Sequence, residues 1–208
     1  MYNSIFSTRT IILFSTFIFT SYSYATVGGG QTLEILGYDT KEQKVYLLRD
    51  FEDARGRTPQ LYYYNLKSKN PDQLIEVKSI YINPKTGKVD YDSRWDEVNQ
   101  SINSIKKRLQ PLSSLQSAPF QINSTVNIKS VKVWDDPHEQ TRQYQYNYSV
   151  THASLKSKPH QAISYSAGLT LSQAYKIPNH DKVIVTIRYL AFPEETSYTT
   201  EDAVMLTR

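Results

Sequence analysis

From Thr141 to His152 every second residue belongs to one class. Tyr144, Tyr146, Tyr148, Val150 and His152 fall on one side, with Gln143, Gln145, Asn147 and Ser149 on the other. Side chains of a strand alternate between its faces, so this period predicts an antiparallel strand with one packed and one polar face. Gln161–Gln173 repeats the period, setting Ile163, Tyr165, Ala167, Leu169 and Leu171 against Ala162, Ser164, Ser166, Gly168, Thr170 and Ser172. Read as one strand beside the first, it would expose its small side chains with Gln143, Gln145 and Asn147 as a flat, uncharged platform. In Val183–Phe192 both phases are largely apolar, which suits a central strand covered on two sides, and Ala203–Thr207 closes the sheet. In Ser124–Trp134 the phase slips: Val126 and Ile128 are out of step with Val131 and Val133. That predicts a β-bulge near Lys129-Ser130, most simply in an edge strand.

Earlier in the chain the runs are shorter: Thr32–Tyr38, Lys44–Asp50, Gln60–Leu66 and Leu74–Ile82, separated by turn residues. A charged loop, Phe51–Pro59, contains Gly56, which can take a positive φ. Asn83-Pro84-Lys85-Thr86-Gly87 reads as a hairpin returning through Lys88–Tyr91. Four consecutive strands resemble one propeller blade, but no second copy follows at the necessary period. The period then changes to that of a helix over about 93–109. Trp95, Val98, Ile102, Ile105 and Leu109 form its apolar stripe, Ser93 and Asp96 a capping box, and Pro111 the stop. Lys106, Lys107 and Arg108 read as a solvated helix end offsetting the dipole. Ser113–Ser117 reads as a polar linker or hinge. These elements predict an α+β, predominantly β fold, with antiparallel sheets of about eight to ten strands and one amphipathic helix packed on a sheet. The body divides at 112/113 into a β-meander plus helix and a C-terminal sheet, joined as one compact unit.

Residues 1–25 break both periods. Arg9 precedes an apolar block, Ile11–Phe19, that ends in Ser23-Tyr24-Ala25. A charged start, a short apolar centre and small residues before the cut predict a signal peptide cleaved after Ala25, with an uncleaved membrane anchor as the main alternative. The protein is therefore expected outside the cytoplasm, periplasmic or extracellular, with no membrane span after cleavage. The chain has no cysteine. That excludes disulfides, thiolate metal sites and thiol nucleophiles, and residues 26–208 suffice to bury about 70% of the unfolded surface without staples. The formal charge of +4 is dispersed. Nucleic acid is therefore not expected as a partner.

Catalytic signatures are missing: no serine elbow, phosphate loop, dinucleotide fingerprint or paired zinc histidines. No cofactor and no metal site is assigned. Asp135-Asp136-Pro137-His138-Glu139 is densely polar, but neighbours on a turn point apart, and the segment reads as a solvated turn. His180 also reads as a turn residue, and His152 as a structural group at a strand end. Tyrosine is the compositional excess, at 17 residues. The candidate binding residues are Tyr62 and Tyr64 in the triplet and Tyr144, Tyr146 and Tyr148 in the ladder, since a ring with a polar tip suits interfaces and stacking. The competing role, packing in an ordinary sheet, is favoured by tyrosine's β-propensity. Two functions follow. The first is a noncatalytic exported module that binds a protein, peptide or glycan. The alternative is an exported hydrolase built on dispersed carboxylates such as Asp50, Glu52, Asp53, Asp135 and Asp136. A membrane barrel is disfavoured by the amphipathic helix and charged strands.

Overall fold

The computed structural model describes residues 29–52, 56–92, 94–115, 118–132, 138–191 and 198–208. Two antiparallel sheets and one α-helix make up its regular structure, giving an α+β, predominantly β fold. The first sheet runs in chain order: β1 (Gln31–Asp39), β2 (Lys44–Phe51), β3 (Gln60–Asn65) and β4 (Leu74–Glu76). A single 3-10 turn, Lys78–Tyr81, leads toward the helix α1 (Trp95–Lys106). The second sheet holds β5 (Ser113–Ser114), β6 (Gln121–Lys132), β7 (Gln140–His152), β8 (Leu155–Ser157), β9 (His160–Ser164), β10 (Thr170–Lys176), β11 (Val183–Leu190) and β12 (Thr199–Thr207). Its order is β5-β10-β11-β12-β8-β7-β6, with β9 also paired to β7.

Three apolar clusters hold these layers together. Val98 and Ile102 of α1 pack with Tyr46, Leu48, Leu61 and Tyr81 on one face of the small sheet. The other face presents Leu33, Tyr38, Val45, Leu47 and Tyr64 to Ile184, Ala203 and Met205 of the large sheet. Beyond that, the large sheet covers its own far face: Tyr146, Tyr148, Val150 and Ala162 pack on Val183, Val185, Ile187, Val204 and Leu206. β11 and β12 thus contribute to two clusters each, and the doubly apolar pattern of Val183–Leu190 marks that central position.

Polar groups reinforce the contact between sheets. Glu201, fully buried, accepts the Leu33 N–H at 2.9 Å with one oxygen and the Arg188 guanidinium at 2.7 and 2.9 Å with the other. Gln173 donates to the Leu33 carbonyl at 2.9 Å, and the Tyr64 hydroxyl to the Ala203 carbonyl at 2.9 Å. The turn residue His180 meets the Tyr38 hydroxyl at 2.9 Å. Its burial pushes the imidazole pKa below the ordinary value.

Several expectations are corrected. β6 and β7 pair without a register shift from Gln121↔Thr151 to Lys132↔Gln140, so there is no bulge at Lys129-Ser130. The phase slip has another cause: β6 itself stands largely clear of the core, so neither of its faces is forced to be apolar. Gln161–Gln173 is two strands, not one. The chain bends between β9 and β10, where the Ser164 hydroxyl bonds the Ser166 backbone and Gly168 takes φ +98°. The uncharged platform is not assembled either. Ala162 and Ser164 lie beneath Tyr146 and Tyr144 and are buried, while Ile163 faces outward, 50% exposed. Large rings on β7 leave room only for small side chains, so the small face of β9 turns inward.

Leu74–Ile82 ends as a strand at Glu76, and the returning Lys88–Tyr91 forms only an isolated bridge, Ile82↔Val89, although the tight turn with Gly87 at φ +67° is present. Ser113-Ser114 is no hinge but pairs with β10 as β5. In α1 the N-cap position is Arg94, without a side-chain cap bond, and Ser93 lies outside the described residues. Trp95, assigned to the buried stripe, is exposed.

Candidate functional site

Edge strands decide where this molecule can meet another. The edge of β1 is covered. Gln110 exchanges two backbone hydrogen bonds with Tyr38, both 2.9 Å, and Glu201 and Gln173 bond the Leu33 backbone farther along. The approach at Gly37 is so close that a Cβ would stand 2.6 Å from the Gln110 oxygen, and its φ of +140° also favours glycine. β4, β5 and β9 are short edges of three, two and five residues. β6 differs from all of them. It is 12 residues long, pairs on one side with β7, and has no strand on its other side among the described residues.

All of β6 except Ile122 and Val131 is exposed. Val126 and Ile128 project on the face that carries Tyr146 and Tyr144 of β7, and they are 48% and 54% exposed. Tyr144 and Tyr146 stack with ring centroids 6.4 Å apart and planes 12° from parallel, giving the two aliphatic side chains a firm base. The Tyr146 hydroxyl accepts the Gly168 N–H at 2.7 Å. The opposite face of β6 presents Asn123, Thr125, Asn127 and Lys129. Charged residues of both signs gather at the turn end of the ribbon, with Lys129 on one face, Lys132 and Arg142 on the other, and the exposed Glu139 beside them. The arrangement is a strand template: a row of backbone donors and acceptors with no strand partner among the described residues, and two apolar positions.

A concavity lies between the small sheet and the C-terminal end of α1. It is an open cleft of about 460 Å³ lined by Glu42, Lys44, Tyr46, Tyr63, Glu76 and Arg108 among others. Glu42 takes hydrogen bonds from Lys44 at 2.8 Å, the Tyr46 hydroxyl at 3.0 Å and Arg108 at 3.0 Å. The Lys44 bond and the nearby cations hold its carboxyl below the ordinary range despite burial. Burial raises the Asp39 carboxyl, but the Glu42 N–H and the Arg108 guanidinium at 2.6 Å outweigh it and the net shift is downward. Glu76 accepts a hydrogen bond from the Tyr91 hydroxyl. The basic helix end is therefore not merely solvated: Arg108 joins Asp39 and Glu42, and Lys106 bonds Glu34 at 3.0 Å.

The candidate tyrosines do not converge on one site. Tyr64 and Tyr148 are buried in different clusters. Tyr148 donates to Asp202 at 3.2 Å, as Tyr189 does at 3.1 Å. Burial raises the Asp202 carboxyl despite these bonds, and it also raises the Tyr148 and Tyr189 hydroxyls. Tyr146 is buried beside them, which removes three of the five from a surface role. Tyr62 remains half-buried, donating to Gln60 at 2.8 Å with Arg49 6.0 Å above its ring. Tyr144 is half-buried beside the exposed pair on β6. Val126 and Ile128 were not singled out from sequence, and the available signal was the phase slip that follows them. His152 bonds the Pro119 carbonyl at 2.9 Å and stacks on Phe120, a structural role. Among the carboxylates proposed for hydrolysis, Asp53, Asp135 and Asp136 lie outside the described residues. Asp50 is raised by burial and by Glu34. No group of three or more His, Cys, Asp or Glu among the described residues is arranged to hold a metal ion.

Compared with known proteins, the chain matches no family model, no curated protein and no solved structure.

Proposed function

We propose that this protein is an exported, noncatalytic interaction module that receives an extended polypeptide segment along β6. The observation that carries the reading is the contrast between edges: β1 is covered by Gln110, Glu201 and Gln173, whereas β6 is long, exposed and open on one side among the described residues. Natural sheets blunt or cover long edges, and an uncovered one presents a row of main-chain groups that an added strand can satisfy. Main-chain bonds would supply affinity, and alternate side chains resting on Val126 and Ile128 would supply selectivity. The leader-like pattern of residues 1–25 supports an encounter outside the cytoplasm. No helix among the described residues is long and apolar enough to cross a membrane.

Polypeptide is favoured over glycan because the exposed side chains at the open edge, Val126 and Ile128, are aliphatic, whereas Tyr146 and Tyr148 of the neighbouring strand are buried. The hydrolase alternative has less support. Glu42, one of two acids in the cleft, is held ionised by Lys44 and Arg108, whereas a general acid needs a raised pKa.

The test is selection of random peptides on the immobilised protein, followed by anisotropy titration of the winners against wild type and a Val126→Lys, Ile128→Lys double variant. Peptides with alternating apolar residues should bind the wild type and lose about tenfold or more in affinity on the variant, whose fold is checked by its melting curve. Equal binding to both proteins, or no selected peptide, would overturn the reading.

A further inference from the structure

Which polypeptide fits β6 is constrained by β6 itself. We propose that its partner is a second copy of this chain, paired antiparallel β6 to β6 about a two-fold axis through Asn127. The inference rests on the strand-addition reading above and adds the identity of the added strand.

Three features support this occupant. The first is apolar self-complementarity. With Asn127 opposite itself, Val126 of one copy lies opposite Ile128 of the other, and the pair repeats across the axis. Tyr146 and Tyr144 lie behind Val126 and Ile128 in the β6–β7 register, so each row becomes tyrosine, aliphatic, aliphatic, tyrosine. The flanks of Val126 and Ile128 that face the open edge would be covered in one step. The second is parity. Alternate residues of a strand point their backbone groups to the same side. An antiparallel partner must therefore match odd with odd and even with even positions, as this register does.

The third feature is charge. The charged residues of β6 are Lys129 and Lys132, both in its last four positions, while Gln121–Thr125 carries none. Antiparallel pairing sets Lys129 opposite Thr125 and Lys132 opposite Ile122 of the other copy. Parallel in-register pairing would set each lysine beside its twin, which costs stability. The charge pattern thus selects the antiparallel arrangement. A two-fold contact uses the same patch on both subunits, and it would convert two open edges into the middle of one continuous sheet.

The cysteine-free chain makes the test clean, because any introduced thiol is the only one. The purified full chain is examined by sedimentation velocity over a wide concentration range. Single-cysteine variants are then treated with a short bismaleimide. The expected result is a reversible monomer–dimer equilibrium whose dissociation constant rises about tenfold or more in Val126→Lys. Asn127→Cys should link to itself, and Val126→Cys should link to Ile128→Cys when the two are mixed. Thr125→Cys should link to Lys129→Cys in a mixture and much less to itself. A monomer at every concentration, a dimer indifferent to Val126→Lys, or preferential self-linking through Thr125→Cys would overturn the proposal. A monomer that still binds selected peptides through β6 removes the second copy and leaves the strand-addition reading intact. A monomer that binds none removes both.

Discussion

At single residues, the informative groups are the polar ones inside. Thr186 sits on the central strand β11, fully buried, and its hydroxyl is the one buried side-chain polar atom without a partner among the described residues. An unsatisfied hydroxyl in a core costs about 1–3 kcal/mol, and valine has nearly the same shape. Thr186→Val should therefore stabilise the protein by about 1 kcal/mol, read as a higher urea midpoint with an unchanged slope. Asp202 is the opposite case, a carboxylate with two hydroxyl partners that burial still drives upward. A folded-state pKa above the unfolded one contributes stability that is full below the ordinary carboxylate value and lost as pH rises through the raised value. Asp202→Asn keeps an oxygen to accept both tyrosines but cannot ionise. Its stability should fall less than that of wild type between acidic and neutral pH, measured by urea denaturation at a series of pH values. Asp39 and Glu42 run the other way, stabilising above the carboxylate range, and they are common to both proteins. Subtracting the two profiles cancels their part, leaving Asp202 and its coupling to His160.

At the level of elements, period and propensity account for most of what formed. The tyrosine ladder of β7, the doubly apolar β11 and the stripe of α1 were all legible, because each encodes burial at the spacing of its own backbone. The helix is held by the residues that spacing selected. Val98 and Ile102 are buried against Leu48, Leu61 and Tyr81, so Ile102→Ala should cost about 2–4 kcal/mol in chemical denaturation. A loss near zero would mean that α1 does not dock on the small sheet. Where the reading failed, the neighbour mattered more than the strand. β9 turns its small side chains inward because the rings beside it belong to β7, where Tyr144 pairs with Ser164 and Tyr146 with Ala162. The bulge inferred in β6 rested on the assumption that one face was buried, and for most of this strand neither is.

For the whole molecule, β11 and β12 are shared between two cores, and Glu201 bonds the small sheet and Arg188 at once. Separating the sheets would expose the core between them and take the Leu33 N–H from a buried carboxylate. The protein should unfold in one cooperative transition, with coincident tryptophan-fluorescence and far-ultraviolet melting curves. Two resolved transitions would show that the halves meeting near residue 112 are independent units.

Of the candidate site, little was legible. Sequence alone pointed to tyrosines because their side chains are distinctive, and the fold buried three of the five. It also marked the strand after Ser124 as an edge, for a reason the register does not support. An open edge is a property of what lies beside a strand, and long-range pairing is absent from local pattern. The sequence by itself determined the strand and helix periods, the absence of disulfides and the strand-rich class, since these depend on side-chain chemistry and neighbours within a few residues. Only the tertiary structure decided which edges are covered, which tyrosines are buried and where β6 lies exposed. Those outcomes depend on contacts between residues far apart in the chain, such as Glu201 with Leu33 and Gln110 with Tyr38.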